Sequence, residues 1–161
     1  MAIKRKNTGG ALFEQAISML EVAGFYRVHW KEARDTMFDK VIVEHYPYKT
    51  IYGTRGRHEW AIITRSSSCF IECKFQDGGG SVDEKLPYML ESFKSSTAWQ
   101  PYPLIKNWII AFEGPYWRKG RGAAGVEWLK GRAAKFSSSR KTLVITNTMN
   151  ELSSELTKRF T

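Results

Sequence analysis

The chain has 161 residues, 42% of them hydrophobic and 14% aromatic, enough to bury a full core in one domain and too apolar for a disordered segment. Its 25 Lys and Arg against 16 Asp and Glu leave a net charge of +9, which favours a polyanionic partner because basic surface displaces counter-ions from phosphates. No run of 18 apolar residues is present and the start MAIKRKNTGG lacks a following hydrophobic segment, so neither a membrane span nor a secretory signal is expected.

Residues 1–10 read as a flexible basic arm, and residues 11–161 as a single domain. Leu12, Phe13, Ala16, Ile17, Leu20 and Ala23 recur at helical spacing, and Gly24 follows where a helix C-terminus favours glycine, which predicts a helix over 10–23. Glu14 sits near its first turn, where an acid suits the helix dipole. Residues 25–30 and 40–52 are rich in β-branched and aromatic side chains and read as strands, separated by a charged helical or irregular stretch at 31–39. Residues 53–56 then turn the chain. Arg55 and Arg57 come just before Glu59, either as phosphate contacts or as part of a solvated loop.

The most informative stretch is 56–76, GRHEWAIITRSSSCFIECKFQ, in which two apolar runs flank a serine turn. Strand alternation sends Ile71, Cys73 and Phe75 to one face and Glu72, Lys74 and Gln76 to the other. Glu59 shares a face with Ala61 and Ile63, and a tight turn at 65–68 sets it opposite Glu72 or Lys74, depending on register. Two carboxylates held together repel unless a cation joins them. Mg²⁺, which takes oxygen ligands and uses only one or two carboxylates, matches Glu59 and Glu72. The alternative is a solvated strand face with a cross-strand ion pair.

Cys69 and Cys73 are the only cysteines. On one extended strand their Cα atoms stand roughly 13 Å apart at about 3.3 Å per residue, beyond disulfide reach. Two small buried thiols fit a reducing, cytoplasmic setting. His29, His45 and His58 are too scattered to complete a zinc site with them.

Residues 77–81 form a glycine-rich loop, after which Ser81 or Asp83 can cap a helix over 84–93. Residues 107–112 are a short apolar run bounded by Pro101, Pro103 and Gly114, hence a buried strand. The next stretch, EGPYWRKGRG, alternates aromatic and cationic residues with glycine, so Trp117 is expected to stack on bases or sugars while Arg118, Lys119 and Arg121 meet phosphates. A helix over 123–135, a strand over 142–146 and a helix over 149–159 complete the chain, with no internal repeat. This order suits an α/β sandwich around a central mixed sheet.

Glu59 and the triplet Glu72-Cys73-Lys74 resemble the PD-(D/E)XK nucleases, the restriction-endonuclease-like superfamily, whose pattern is an acid at one strand and an acid-x-Lys triplet on the next. The first acid is more often Asp there, and Glu59 is longer by a methylene. The segment GGGSVDEKLPYMLESF at 78–93 also looks like one that follows the triplet in some members. The resemblance implies a central mixed sheet of about five strands flanked by helices, and a Mg²⁺- or Mn²⁺-dependent DNA endonuclease with Glu59 and Glu72 as metal ligands and Lys74 acting on the attacking water. It further implies support from Gln76 and from Glu14 on the first helix, with Lys85 contacting DNA or pairing with a neighbouring acid. DNA is the expected partner, and a homodimer is one possible assembly. A junction-resolving nuclease on the same fold and a non-catalytic nucleic-acid-binding domain are the alternatives.

Overall fold

The computed structural model describes residues 8–33, 39–78, 83–138 and 141–161. Most of the expected basic arm, much of the 31–39 stretch, and residues 79–81 of the glycine loop, with Ser81, lie outside the described residues. Helix α1 spans Thr8–Val22, so positions 8–10 of that expected arm are helical. Phe13, Ala16, Ile17 and Leu20 form its buried stripe. It stops at Gly24 (φ +93°), where the Gly24 amide donates to the Glu21 carbonyl and the Phe25 amide to the Leu20 carbonyl, both at 3.0 Å. This pairing satisfies the last carbonyls and needs a left-handed residue, which glycine supplies without a Cβ penalty.

The strands are β1 (Tyr26–His29), β2 (Val41–Glu44), β3 (Pro47–Lys49), β4 (Arg55–Arg57), β5 (Trp60–Ile63), β6 (Ser68–Phe75), β7 (Thr97–Ala98), β8 (Asn107–Glu113) and β9 (Thr142–Thr146). The other helices are α2 (Leu86–Ser95), α3 (Gly120–Phe136) and α4 (Met149–Phe160). A six-stranded mixed sheet runs β1-β2-β5-β6-β8-β9, and a small three-stranded sheet runs β4-β3-β7. β5 is antiparallel to both β2 and β6, whereas β6, β8 and β9 are mutually parallel neighbours. Parallel neighbours need a crossover, which α2 supplies between β6 and β8 and α3 between β8 and β9.

The single strand expected over 40–52 is two strands in two sheets. His45 adopts φ +56° between β2 and β3, its amide donates to the Glu59 carbonyl at 3.1 Å, and the His58 amide donates to the Tyr46 carbonyl at 3.0 Å. The long hairpin therefore bends across both strands at one level, with β2 and β5 in the large sheet and β3 and β4 in the small one. Arg55 and Arg57 accordingly lie on β4, after a turn that closes with the Gly53 amide on the Thr50 carbonyl. Glu59 is at the corner.

Each face of the large sheet is covered. Val43, Ala61, Phe70, Trp108 and Ile110 pack beneath Leu90 and Phe93 of α2 and Val126 and Leu129 of α3. Ile42, Ile62, Cys69, Ile71 and Ile109 pack beneath Phe13 and Ile17 of α1 and Leu152 and Leu156 of α4. Each of these large side chains contributes on the order of 1.5–3 kcal/mol by leaving water. β6 is buried on both faces over Cys69–Ile71 and opens only from Glu72 onward, so its polar face begins there. Among the described residues, no helix is long and apolar enough to cross a membrane.

α2 begins at Leu86 with Lys85 in the capping position and no side-chain cap. A short 3-10 turn, Asp83–Lys85, leads into it, so Asp83 lies in that turn and not at the cap. Pro87 in the first turn costs nothing, because the amide it lacks has no partner there.

Candidate active site

The hairpin register pairs Trp60 with Ile71 and Ala61 with Phe70. Glu59 stands at the bend one residue before this pairing begins, and the next position on β6 is Glu72, the first of the two partners open to it; its carboxylate feels the charge of Glu72 and of Lys74. A Glu59 carboxylate oxygen lies 3.5 Å from the Cys73 amide, and Lys74 Nζ donates to Glu72 Oε1. The other Glu72 oxygen is 3.7 Å from His58 Nδ1, an ion-pair distance longer than a hydrogen bond.

The two acids have opposite electrostatics. Partial desolvation of its carboxyl, then the charge of Glu72, raise the Glu59 pKa, against which Lys74 works only in part. Burial also pulls the Glu72 carboxyl upward, but the nearby His58 imidazole and the Lys74 ammonium outweigh it and hold its pKa below the usual value. His58 is buried at 4% exposure, and desolvation lowers its pKa despite the Glu72 carboxylate. Its ring is stacked between Tyr48 at 4.2 Å and Phe70 at 3.7 Å.

Arg57, Lys85, Glu72 and Lys74 line one cavity of about 190 Å³ together with His58, Tyr48, Tyr88 and Ser92. Two of the expected nucleic-acid contacts, Arg57 and Lys85, are thus brought to the triplet. The other cations are arranged differently. Arg55 lies over the rings of Trp30 (5.2 Å) and Trp99 (6.0 Å). Arg118 pairs with Glu113, Arg121 lies 3.9 Å from Glu84, and Lys119 is exposed at the start of α3.

Trp117 corrects the expectation of a stacking residue. A 3-10 turn, Pro115–Arg118, tucks its ring 4.6 Å from Phe112, and it is only 1% exposed. No base can reach its face. The stretch that reads as a basic aromatic loop is in fact a turn folded onto the end of β8.

Glu14 is ion-paired to Arg27 at 2.6 Å, and Arg27 also binds Glu21 at 2.7 Å. None of the described hydrogen bonds or ion pairs joins Glu14 to Glu59, Glu72 or Lys74, and α1 packs on the sheet face opposite Glu72. Gln76 lies just past β6; its side-chain amide donates to the Gly78 carbonyl at 2.7 Å. Cys69 and Cys73 are both free thiols, and burial pushes Cys69 up to about 12. Among the described residues no group of three or more His, Cys, Asp or Glu converges on one point.

His58 and Tyr88 were not singled out from the sequence. The adjacency of His58 to Glu59 was visible, but its partner Glu72 is reached only because the hairpin bends between them.

A mixed sheet whose middle strand carries an acid-x-Lys triplet, with a second acid at the neighbouring strand, defines a nuclease-like protein of the restriction-endonuclease-like fold. The family model for the PD-(D/E)XK nuclease superfamily domain matches residues 5–160, and the chain belongs to that superfamily. No curated protein and no solved structure gives a match.

Proposed function

We propose that the protein is a divalent-metal-dependent DNA endonuclease, hydrolysing phosphodiester bonds at the Glu59, Glu72 and Lys74 cluster. The observation that carries this reading is the hairpin register, which brings Glu59 beside Glu72 with Lys74 on the same face of a strand in a PD-(D/E)XK domain. Glu59 and Glu72 fit Mg²⁺ or Mn²⁺: they offer hard oxygen donors, and the upward push of one carboxylate on the other is relieved by a cation between them. The ion would supply charge stabilisation at the phosphoryl oxygens and a more acidic water.

The chain's own residues do the rest. Glu72 is held in its charged form by His58 and Lys74, so it meets a cation without first losing a proton. The Lys74 ammonium orients the attacking water or stabilises the charge that develops on the phosphate. Arg57 and Lys85, which line the same cavity, hold flanking phosphates and set the strand in register with the cluster.

Incubating supercoiled plasmid with the protein in Mg²⁺, Mn²⁺, Ca²⁺ or EDTA tests this directly. Nicked or linear product is expected in Mg²⁺ and Mn²⁺, little in Ca²⁺, whose looser shell positions water less well, and none in EDTA. Intact plasmid under all four conditions refutes the reading.

A further inference from the structure

The turn between β3 and β4 carries a ring that neither the fold nor phosphodiester hydrolysis accounts for. Tyr52, at the tip of that turn, is 73% exposed, although the turn around it is closely tied. The Thr50 amide donates to the Thr54 carbonyl at 2.8 Å, and the Gly53 amide donates to the Thr50 carbonyl at 2.9 Å. The Thr50 and Thr54 hydroxyls lie 2.8 Å apart, and the Thr54 amide donates to Thr50 Oγ1 at 3.3 Å. The tip is therefore preorganised, and what it holds out into solvent is an aromatic ring.

Its partner is Tyr88 on α2, itself exposed, with the two ring planes 19° apart and the centroids at 6.2 Å, a displaced stack. A ring that served only to dock the hairpin on α2 would be mostly covered by that contact, as Trp117 is against Phe112, and Tyr52 is not. Tyr88 in turn lines the cavity with Glu72, Lys74, Arg57 and Lys85, so the ring pair stands beside the proposed cleavage cluster. The hairpin segment 47–57 contains Lys49, Arg55 and Arg57 and no acid, and Lys49 lies directly opposite Arg55 across the two strands. Like charges so placed repel, and a polyanion beside them relieves that repulsion.

An aromatic ring binds a base through its face. In the interior of a duplex both faces of every base pair are already covered by neighbours, and opening that stack is unfavourable. An exposed ring beside a phosphate site is therefore of use where the stack is interrupted. We infer that Tyr52, backed by Tyr88, stacks on a base at the boundary between single strand and duplex, which makes branched DNA such as a flap or a fork the preferred substrate. This rests on the nuclease reading and narrows its substrate class, with the scissile phosphate at the cluster and the flanking phosphates on Arg57 and Lys85.

Fluorescence anisotropy in Ca²⁺ tests this with two duplexes of equal length and identical ends, one intact and one carrying a short single-stranded flap at its centre. Wild type is expected to bind the flap DNA more tightly, and Tyr52→Leu to lower the ratio of flap to intact affinity by about 5- to 150-fold, the range for one stacked base. Leucine keeps an apolar side chain against Tyr88, so Tm is expected to hold, and Tyr52→Phe, which keeps the ring, is expected to retain the ratio. Equal binding of both DNAs by the wild type overturns the proposal. So does a ratio that Tyr52→Leu leaves unchanged, or one that Tyr52→Phe and Tyr52→Leu lower alike, which would make Tyr52 a prop for the hairpin. Plasmid cleavage run alongside separates the two readings. A protein that cuts plasmid in Mg²⁺ with no ring-dependent preference retains the nuclease and loses the stack, whereas one that cuts nothing yet shows that preference retains the stack and loses the nuclease.

Discussion

At the scale of single residues, Glu59 and Glu72 form an asymmetric pair whose pKa values are shifted in opposite directions. The raised pKa of Glu59 means that the folded protein binds a proton there more readily than the unfolded chain, so its contribution to stability falls as pH rises through that window. Glu59→Gln is therefore expected to raise Tm in EDTA at neutral pH, with the gain vanishing at acidic pH; differential scanning calorimetry at two pH values reads this, and a lower Tm at neutral pH contradicts it. The same shift predicts that Mg²⁺ affinity weakens as pH falls and Glu59 protonates, before Glu72, whose lowered pKa keeps it charged further into acid. An affinity measured by calorimetry that stays flat from neutrality to about pH 4, near the ordinary Glu value, would exclude Glu59 as a ligand. Lys74 gives a third test. Lys74→Met is expected to abolish cleavage while retaining metal binding, since the ammonium acts on water and phosphate; loss of the metal along with cleavage would assign Lys74 to holding Glu72 in place.

At the scale of elements, the site depends on where β6 ends and β8 passes. The Gln76 amide donates to the Glu113 carbonyl at 3.1 Å, and the Gln76 carbonyl accepts from the Tyr116 amide at 3.3 Å. Gly114 sits against this join at φ +108°, and a Cβ there would lie 2.4 Å from the Gln76 carbonyl oxygen. Both the backbone conformation and the space demand glycine. Gly114→Ala should therefore destabilise the fold by about 1–3 kcal/mol and reduce cleavage, because it displaces the strand end just past Lys74. Urea unfolding and a plasmid assay measure the two effects, and an unchanged midpoint would mean that the β6–β8 join adjusts freely. The bend at His45 has a comparable role. It is what puts Glu59 and His58 at the edge of the large sheet while Arg57 continues into the small one.

At the scale of the whole molecule, the net charge of +9 is unevenly usable. Arg118 is committed to Glu113 and Arg55 to two indole rings, whereas Arg57 and Lys85 are exposed at the cavity mouth. Each phosphate contact contributes about 0.9 to the slope of log K against log salt on duplex DNA. Replacing Arg57 and Lys85 together with Ala should lower that slope by up to about 1.8, and replacing Arg118 should change it less. A salt series of duplex affinities decides this, and a larger effect from Arg118 would move the DNA path toward the start of α3.

The hydrophobic alternation of β6 determined, without tertiary information, that Glu72 and Lys74 share a face, because strand periodicity is local. The apolar spacing of α1, ended by Gly24, was equally legible for the same reason. What the tertiary structure decided are relations between segments far apart in the chain. The hairpin register narrowed Glu59 to the neighbour of Glu72, and the bend at a left-handed His45 split one expected strand between two sheets. Trp117 has the composition of a binding loop around it, yet its ring is buried because Phe112, on the interior strand β8, offers it an apolar surface. The cavity shared by Arg57, His58, Glu72, Lys85 and Ser92 exists only once β4, β6 and α2 are packed together, since burial and long-range register depend on the whole chain while local periodicity does not.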